Sequence, residues 1–556
     1  MKHLMLFVCF VLCGHSLFAQ KDSSLIILQH VNVIDGISNS PLIDVTVTIK
    51  NAKITSIKRG SAKTLPTAIV LDLKGKWVLP GYIDAHVHFY HIDSARNALA
   101  TGVTTARTMG ANKFFDIQLR QAHNTGDNHI PDVVAAGYGI RPDMPEEFYS
   151  AFPALSDMKP EVKGGENVRR LVRALVSAKV NLIKVFATER AGTPGTDPRK
   201  RTFTNEELMA IVDEAKKEGI RVAAHAHGDE GAYAAVQAGV FSIEHGTYLS
   251  DSTLSMMKQM GTYLVPTFSY WKQVGASLQN RENPVLAERI RTFEQLITEV
   301  TKRAYKMGIP IAAGTDTRYS IAGLTIATEA MQLQKAGLSA MDVIKSMTSV
   351  SAKCLGIDKS TGSLKKGLDA DILILEKNPL EGLDALRSIK MVINDGRIVI
   401  NNSSAVAVNR TTTSTGSNFE KEKRTSRSKS LNTLDSIDRA NQEMVRSSGN
   451  DVTKAHVSLQ DSLIDLSANI RKDHRIFGYA HPDVKSERIF LLSVFTNDVE
   501  NNPFNCRLGA YYDTRGMKDL TLKYMASVGE FVRAIAIDKS NKSTVLYFER
   551  KWIEFD

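Results

Sequence analysis

Residues 78–88 read VLPGYIDAHVH, an apolar segment that ends in two histidines. Because residues two apart on a β-strand point to the same side, His86 and His88 can reach one metal ion together. An isolated histidine pair is more often structural than ligating, since such pairs also occur by chance. The segment therefore predicts a strand, and it predicts a metal site only if other ligands accompany it.

Lys184 lies inside a second apolar segment, at residues 182–186. Neighbouring residues on a strand face opposite sides, so this side chain is predicted to point into the interior of the fold. A lone buried ammonium is costly, and Lys184 should be paired, deprotonated or chemically altered. An internal ion pair is one interpretation. Reaction with carbon dioxide is another, because the resulting carbamate has two oxygens that can bridge two metal ions.

His225, His245 and Asp316 each come where a predicted strand finishes. Eight strands are predicted, at residues 83–88, 104–108, 133–136, 182–186, 221–225, 242–245, 263–268 and 310–313. Helical patterns separate most of them, and the clearest covers residues 205–218, with Thr204 as its N-cap. This alternation predicts an α/β fold, a (β/α)8 TIM barrel over residues 81–360. Active sites lie at the C-terminal ends of barrel strands, so these residues are expected to share one site with Lys184.

Both flanks of the predicted barrel carry short β-branched runs that are broken by turns such as Asp35-Gly36 and Asp395-Gly396. This pattern is typical of antiparallel strands. We therefore expect a β-sandwich built from both flanks of the barrel, with residues 20–80 as its first part and residues 361–401 as its second.

The two ends of the chain differ in composition from the rest. Residues 1–19 have a polar start, a short apolar run and a small residue, Ala19, at the end, which is the pattern of a signal peptide. We expect an exported protein, periplasmic or secreted, with no transmembrane segment in the mature chain; whether Cys13 carries a lipid stays open.

Residues 402–450 are rich in Ser, Thr, Asn and charge and predict a flexible linker. Residues 451–556 predict a small α+β domain.

The 556-residue chain has a net charge of +10 and is 43% hydrophobic. That hydrophobic fraction supports a large buried core. The basic residues are spread along the chain without a recognition motif, so no nucleic-acid partner is expected. The four cysteines show neither CxxC spacing nor a disulfide framework.

Together these segments resemble the amidohydrolase superfamily, in its imidazolonepropionase-like and Xaa-Pro dipeptidase-like branch. The resemblance runs from about residue 25 to residue 399 and leaves out the linker and the last domain. It rests on VLPGYIDAHVH at 78–88, NLIKV at 181–185, AHAHG at 224–228, SIEHG at 242–246, AGTD at 313–316 and GSLKKGLDAD at 362–371.

The resemblance implies a site for two divalent metal ions. Its ligands would be, in chain order, His86, His88, Lys184, His225, His245 and Asp316. The first two histidines and the aspartate would hold the more buried ion, the later two histidines the outer ion, and carboxylated Lys184 would bridge both. Zinc is the expected metal, although manganese, iron or cobalt can fill such sites. A metal-bridging hydroxide would attack the substrate carbonyl, and Asp316 would carry the proton to the leaving nitrogen.

The sequence says less about the residues that would bind the substrate than about the metal ligands. In the family the first histidine of the AHAHG segment is the ligand, so His225 is expected to bind metal and His227 to face the substrate. The Gly-Gly-His that many relatives carry after the third strand is absent from residues 135–141. Tyr138, Arg141 and Arg318 are candidate carboxylate binders, because a guanidinium suits a carboxylate. Ordinary roles in loops or ion pairs are equally open for all three.

The leading hypothesis is a hydrolase that cleaves the amide bond of a dipeptide or an N-acyl amino acid, a small-molecule substrate. A lactone or phosphoester hydrolase stays open, because the same hydroxide attacks those centres. A deaminase is disfavoured, since deaminases of this superfamily usually carry a glutamate where this chain has Gly228. A non-catalytic binding protein with a cell-surface partner is the alternative from another class. Assembly into a homo-oligomer is left open.

Overall fold

The structure is a computed structural model that describes residues 25–60, 68–321, 323–402, 455–457, 464–465, 475–493, 496–511, 517, 520–540 and 542–555. The predicted signal peptide, residues 1–19, and nearly all of the predicted linker, residues 402–450, lie outside these ranges. Across the described ranges, no helix combines the length and the apolar character that crossing a membrane requires. The chain divides into two compact units, Met1–Ala407 and Val408–Asp556.

The described part of the first unit alternates between strands and helices. Its strands are β1 (Leu25–Val33), β2 (Leu42–Lys50), β3 (Lys53–Arg59), β4 (Ile69–Asp72), β5 (Trp77–Pro80), β6 (Tyr82–Val87), β7 (Val103–Thr108), β8 (Asp132–Ala135), β9 (Leu182–Phe186), β10 (Arg221–Ala226), β11 (Ser242–His245), β12 (Tyr263–Val265), β13 (Ile372–Leu375), β14 (Ile389–Asn394) and β15 (Arg397–Asn401). Its α-helices are α1 (Ile92–Ala100), α2 (Phe115–Asn124), α3 (Glu146–Ala151), α4 (Gly165–Ser177), α5 (Asn205–Lys217), α6 (Asp229–Ala238), α7 (Asp251–Met260), α8 (Phe268–Ala276), α9 (Leu278–Glu282), α10 (Pro284–Lys306), α11 (Ile326–Lys335), α12 (Ala340–Ser346) and α13 (Ser349–Leu355). Short 3₁₀ helices cover Asn112–Phe114, Pro153–Met158 and Leu383–Arg387.

The two flanks of this unit form one sheet. Its order is β15-β14-β13-β5-β1-β2-β3, and β4 pairs with β1. The flanks meet where β13 runs antiparallel to β5, with Ile374 opposite Val78. A change of register near His30, whose φ is 57°, lets β1 pair first with β4 and then with β5. The two flanks that were expected to form a β-sandwich are thus joined in one hydrogen-bonded network of eight strands, with its own apolar core.

Parallel strands form the centre of the unit. One sheet has the order β6-β7-β8, and the other has the order β12-β11-β10-β9. Isolated parallel bridges connect their ends: Ile140 to Val185, Leu264 to Ile311, and Val87 to Thr317. The strands thus follow one another in the order of a TIM-barrel-like fold, with their C-terminal ends on one side.

Two predicted strands differ from the structure. Residues 310–313 are extended but make only an isolated bridge, at Ile311, instead of a regular strand. The strand predicted to run from 263 to 268 stops at Val265, because Thr267 adopts a left-handed φ of 59° and α8 begins at Phe268. Apolar periodicity could not show this turn, since Thr267 and Phe268 are both typical strand residues.

The helix predicted at residues 205–218 is confirmed as α5. The Thr204 side chain accepts from the amide of Glu207, and the Glu207 carboxylate accepts from the amide of Thr204, which makes a capping box. Gly219 follows the helix with a φ of 68°. This well-defined helix returns the chain to β10, which carries His225.

The described part of the second unit is mainly β-structure. Its elements are β16 (Ala455–Val457), β17 (Ile464–Asp465), β18 (Arg475–Tyr479), β19 (Arg488–Ser493), α14 (Thr496–Asn501), β20 (Ala510–Tyr511), β21 (Leu520–Val528), β22 (Phe531–Asp538), β23 (Ser543–Glu549), a 3₁₀ helix (Arg550–Trp552) and β24 (Ile553–Phe555). Six strands form a sheet of order β20-β19-β18-β23-β22-β21. Phe490 and Phe548 are fully buried in a core made of this unit's own residues.

Candidate metal centre

The ends of the parallel strands bring the predicted ligands together. His86 lies in β6 and His88 just after it, Lys184 in β9, His225 in β10, His245 at the end of β11, and Asp316 after the bridge at Ile311. All are buried except His88, whose side chain is 24% exposed. Parallel strands bring residues that are distant in sequence to one end of the fold, which is why the sequence pattern could anticipate this grouping.

His86, His88 and Asp316 form a first cluster. One ligand atom from each lies within 4.8 Å of the others. Oδ1 of Asp316 is 3.5 Å from Nε2 of His86 and 3.2 Å from Nε2 of His88. These three atoms face a common point and carry lone pairs, so they could hold one ion.

His225, His227 and His245 form a second cluster, whose ligand atoms also lie within 4.8 Å of one another. The ring of His245 is centred 4.5 Å from that of His225 and 4.7 Å from that of His227. Oδ2 of Asp316 is 3.9 Å from Nδ1 of His245. The carboxylate of Asp316 therefore lies between the clusters, with one oxygen towards each.

Lys184 is fully buried beside these clusters. Its Nζ is 5.6 Å from the centre of the Phe186 ring, and that ring is 4.8 Å from the ring of His225. Burial lowers the pKa of Lys184 to about 8, although the negative charges of Glu244 and Asp316 act to raise it. A lowered pKa increases the share of neutral amine, which is the form that reacts with carbon dioxide.

Hydrogen bonds fix the ring nitrogens of the first cluster. Nδ1 of His86 donates to Oε2 of Glu244 at 2.7 Å, and Nδ1 of His88 donates to the carbonyl of Gly110 at 2.9 Å. A carbonyl can only accept, and Arg107 and His86 keep Glu244 ionised against the effect of its burial, so both Nδ1 atoms carry the proton. Both Nε2 atoms are thereby left free to bind a metal.

The second cluster is oriented in the same way. The hydroxyl of Thr267 donates to the carbonyl of Pro266 at 2.7 Å, so its oxygen must accept from Nδ1 of His245, which is also at 2.7 Å. Nε2 of His245 is therefore unprotonated. His225 directs Nε2 to the carbonyl of Glu189 at 3.3 Å, which leaves its Nδ1 as the free donor atom.

Electrostatics favour neutral imidazoles beside an anionic carboxylate. Burial lowers the pKa of His86 to about 4 and that of His227 to about 3, and it holds the pKa values of His225 and His245 well below 6.5. Burial alone would raise the pKa of Asp316, but the neighbouring His86 and His88 keep it lowered. Neutral imidazole and carboxylate are the forms that bind divalent metals, so this donor set fits the expected ions.

Glu244 and Arg107 were not anticipated as part of the site. Glu244 accepts from His86, from Arg107 Nη2 at 2.8 Å and from Ser242 Oγ at 2.5 Å, and burial by itself would raise its pKa; Arg107 and His86 bring it to about 2. Each is a charged residue inside a predicted parallel strand, and that position is the signal that could have found both. Their ion pair fixes the orientation of His86.

A local backbone distortion allows Glu244 and His245 to serve the same site. Neighbouring residues on a regular strand would face opposite sides. His245 instead has a φ of 74°, and Asp316, on the other side of the site, has a φ of 52°. Such left-handed residues are uncommon outside glycine and concentrate at functional sites.

Of the predicted substrate binders, His227 and Tyr138 are both buried. His227 joins the second cluster, and its Nδ1 lies 2.7 Å from the hydroxyl oxygen of Thr247. Tyr138 is buried, its oxygen accepts from the amide of Lys113 at 2.7 Å, and its ring packs edge-on against Phe114. These contacts give Tyr138 a packing role.

Both candidate arginines lie in more open positions. Arg141 donates from Nε to the carbonyl of Asp143 at 3.0 Å and lines a cavity. The guanidinium of Arg318 lies 4.9 Å from the ring centre of Tyr90, which stacks on His88 at 6.3 Å. Arg318 therefore lies on the side of the first cluster.

Comparisons with known proteins give the family. The family model described as the amidohydrolase family matches residues 77–399. The ochratoxinase of Aspergillus niger is 28% identical over 355 residues, which is 57% of this chain and 73% of the relative. An imidazolonepropionase of Caldanaerobacter subterraneus subsp. tengcongensis is 23% identical over 380 residues, 60% of this chain and 84% of the relative. The solved structure of a Xaa-Pro dipeptidase with bound methionine is 29% identical, with a TM-score of 0.61, and the match covers 67% of this chain and 99% of that one.

The matched residues, 77–399, include both clusters and exceed half of the chain. The resemblance inferred from the sequence is thereby confirmed, whereas the roles of individual residues stay predictions. This chain is a hydrolase that belongs to the amidohydrolase family.

Proposed function

We propose that the chain uses two divalent metal ions to hydrolyse the amide bond of a dipeptide or an N-acyl amino acid. The observation that carries the proposal is the pair of adjacent donor clusters, joined by Asp316 and accompanied by the buried Lys184. The similarity to a Xaa-Pro dipeptidase supports a peptide-like substrate.

The donor atoms suggest how the ions would be held. Nε2 of His86, Nε2 of His88 and a carboxylate oxygen of Asp316 would hold one ion, and His225 with His245 would hold the other. Zinc suits these ligands. Lys184, once carboxylated, would bring an anion to the all-histidine cluster. When bound, the two ions lower the pKa of a water, so that hydroxide is available near neutral pH, and polarise the scissile carbonyl.

Asp316 is the residue we assign to proton transfer. It is anionic, buried, and set between the clusters with its two oxygens facing different histidines. A carboxylate oxygen of Asp316 accepts the proton of the attacking water and then donates it to the leaving nitrogen. The left-handed backbone at this residue, with its amide donating to the carbonyl of His86 at 2.6 Å, fixes the carboxylate for both steps.

A cavity of about 600 Å³ lies beside Phe186, a neighbour of the second cluster, and is our candidate subsite for a substrate carboxylate. Phe186 lines it and packs against His225, and the guanidinium of Arg190 lies 6.0 Å from the centre of that ring. Arg141 lines the same cavity; burial lowers its pKa, the negative charge of Asp143 acts to raise it, and the like charge of Arg190 acts to lower it. The acids of this lining are already paired, Asp143 with Arg141, Glu161 with Lys163 and Glu189 with Lys200. Arg190 is therefore the lining residue to which we assign the substrate carboxylate, since a guanidinium suits a carboxylate.

The surroundings of Gly228 disfavour the deaminase alternative. A Cβ at this position would lie 2.5 Å from the carbonyl oxygen of Arg199 and 2.7 Å from its Cα. A glutamate there would require the backbone of the neighbouring loop to move.

Metal content and substrate range test the proposal together. Elemental analysis of the full chain, purified without chelators, should give two metal ions per chain. The loaded enzyme is then screened against dipeptides, N-acyl amino acids, lactones and phosphoesters, and separately for ammonia release from amines. Turnover of an amide substrate is expected. A folded, active enzyme without metal, or turnover confined to esters or amines, would overturn the proposal.

The carboxylate subsite has its own matched test. Arg190→Gln should raise the KM for an N-acyl amino acid while kcat changes little. The reason is that the guanidinium would bind the substrate carboxylate equally strongly in the ground state and in the transition state. The same variant should leave the KM for the corresponding carboxamide unchanged. Arg120→Gln serves as the control, since Arg120 donates to the carbonyl of Lys179 and does not line this cavity. An equal effect on both substrates would remove Arg190 from the subsite.

A further inference from the structure

The turn before α8 combines an unusual backbone with an unusual cap. Thr267 is the N-cap of α8, yet its φ is 59°, and its hydroxyl makes no bond to the helix amides. A β-branched residue at positive φ is strained, because Cβ approaches the backbone. The hydroxyl is used elsewhere: it donates to the carbonyl of Pro266 and accepts from Nδ1 of His245.

Glu329 supplies the cap that Thr267 does not provide. It projects from α11 and accepts from the amide of Phe268 at 2.9 Å and from the amide and the hydroxyl of Ser269, both at 2.8 Å. The first amides of a helix have no partner within the helix, so an acceptor there stabilises the helix start. Glu329 is completely buried, and this burial raises the pKa of its carboxyl to about 8. Both of its oxygens are nevertheless used by the start of α8.

We infer that Glu329 is a positioning residue for the second ligand cluster, because it holds the strained turn at Thr267 and leaves that hydroxyl free to orient His245. This inference rests on the proposed function, in which His245 binds the second ion. Glu329 touches no predicted ligand and acts only through Thr267. The chain of contacts runs from the Glu329 carboxylate, through the amides of Phe268 and Ser269, to the Thr267 hydroxyl and Nδ1 of His245.

Because Glu329 caps α8, the hydroxyl of Thr267 is available to accept from His245. If Thr267 capped α8 with its own hydroxyl, as a threonine N-cap ordinarily does, the oxygen would turn towards the helix amides. Nδ1 of His245 would then lose its acceptor, and the tautomer with a free Nε2 would no longer be fixed. Groups that orient a ligand histidine in this way typically change metal affinity about 10- to 100-fold when they are removed.

The test measures the second ion and the His245 proton in the full, zinc-loaded chain. In Glu329→Gln, the affinity of the second ion, followed by chelator competition, should fall about 10- to 100-fold while the first ion is retained. The Nδ1–H proton of His245, observed with ¹⁵N-labelled histidine, should exchange faster with solvent than in the wild type.

Two further variants separate positioning from general destabilisation. Asp371→Asn is the matched control, since Asp371 is also a buried acid that accepts from one amide, of Asp395 at 3.0 Å, and one hydroxyl, of Thr361 at 2.7 Å. It should lower stability without affecting the second ion. Thr267→Val should reproduce the loss in Glu329→Gln, Thr267→Ser should retain most of the affinity, and the double variant Glu329→Gln/Thr267→Val should lose no more than Thr267→Val alone.

The outcomes distinguish this inference from the proposed function. If the wild type binds a second ion and a folded Glu329→Gln binds it equally well with an unchanged His245 proton, the inference is overturned. If losses in the double variant add, Glu329 acts by a route other than Thr267, which also overturns it. If the wild type binds only one ion, the proposed function fails, and the exchange rate of the His245 proton alone decides the inference.

Discussion

The two ligand clusters share a residue type and differ in charge. The first cluster, His86, His88 and Asp316, includes an anion, and one of its histidines is held by the ionised Glu244. The second cluster, His225, His227 and His245, consists of neutral imidazoles that are held by hydroxyl and carbonyl oxygens. Dications are bound more strongly where an anionic ligand reduces their charge. The first cluster has an anionic ligand of its own, whereas the second has only neutral ligands.

Lys184 is the residue placed to remove this difference. As an ammonium it would repel an ion in either cluster, and as a carbamate it would give the second cluster its missing anion. Its burial beside Phe186 and the lowering of its pKa to about 8 favour the reactive amine. The comparison thus predicts that the first ion is independent of Lys184 and that the second depends on it.

Replacing Asp316, whose carboxylate lies between the two clusters, should have the largest effect. Asp316→Asn keeps the side-chain volume but removes the anion and the proton acceptor, so kcat should fall about 10⁴-fold, the upper range for loss of acid–base catalysis. Steady-state kinetics with an amide substrate and elemental analysis measure both consequences. Asp371→Asn, in the flanking sheet, should retain turnover. A comparable turnover in Asp316→Asn would show that the proton takes another route.

Lys184→Ala tests the predicted asymmetry most directly. Turnover should fall about 10²- to 10³-fold, a typical loss when one electrostatic contribution to the transition state is removed, and metal content should drop from two ions to one. Added formate, acetate or bicarbonate should restore part of both by occupying the vacated space. A plain ion pair predicts a less stable protein and no rescue. An unmodified Lys184 in an active, two-metal enzyme would refute its bridging role.

A comparison of His225→Ala with His227→Ala should show which of these two histidines binds the second ion. His225→Ala is expected to lose the second ion. His227→Ala should retain it, with at most about a 10- to 100-fold change in affinity, because His227 is assigned to the substrate. Chelator competition with both variants gives the answer. The reverse order would make His227 the ligand, which the distances between the three rings allow.

Removal of the second unit should have the smallest effect. A chain that ends after Asn401 keeps β15, both clusters and the flanking sheet, while the second unit has a core of its own residues. Turnover on a small substrate should therefore be unchanged. A loss of turnover in a truncated chain with unaltered thermal unfolding of the first unit would show that residues 402–556 contribute to the site.

The sequence predicted the site residues best where strand alternation and strand-end positions determine their placement. His86 and His88 lie on the same side of a strand by simple alternation, and His225 and His245 come at strand ends that parallel pairing brings together. Alternation failed at Glu244, because the left-handed His245 lets both neighbours face the site. It failed again at Thr267, where the predicted strand ends.

The sequence by itself determined the family, the alternation of strands and helices and the set of metal-competent residues, because strand and helix periods and strand-end positions are local properties of the chain. Only the tertiary structure decided which nitrogen of each histidine is free, which residues orient the rings and that Asp316 lies between two clusters. Those features depend on contacts such as His86 with Glu244, 158 positions apart, and Phe268 with Glu329, 61 positions apart. No local pattern specifies such distant partners, since their approach follows from the packing of the whole fold.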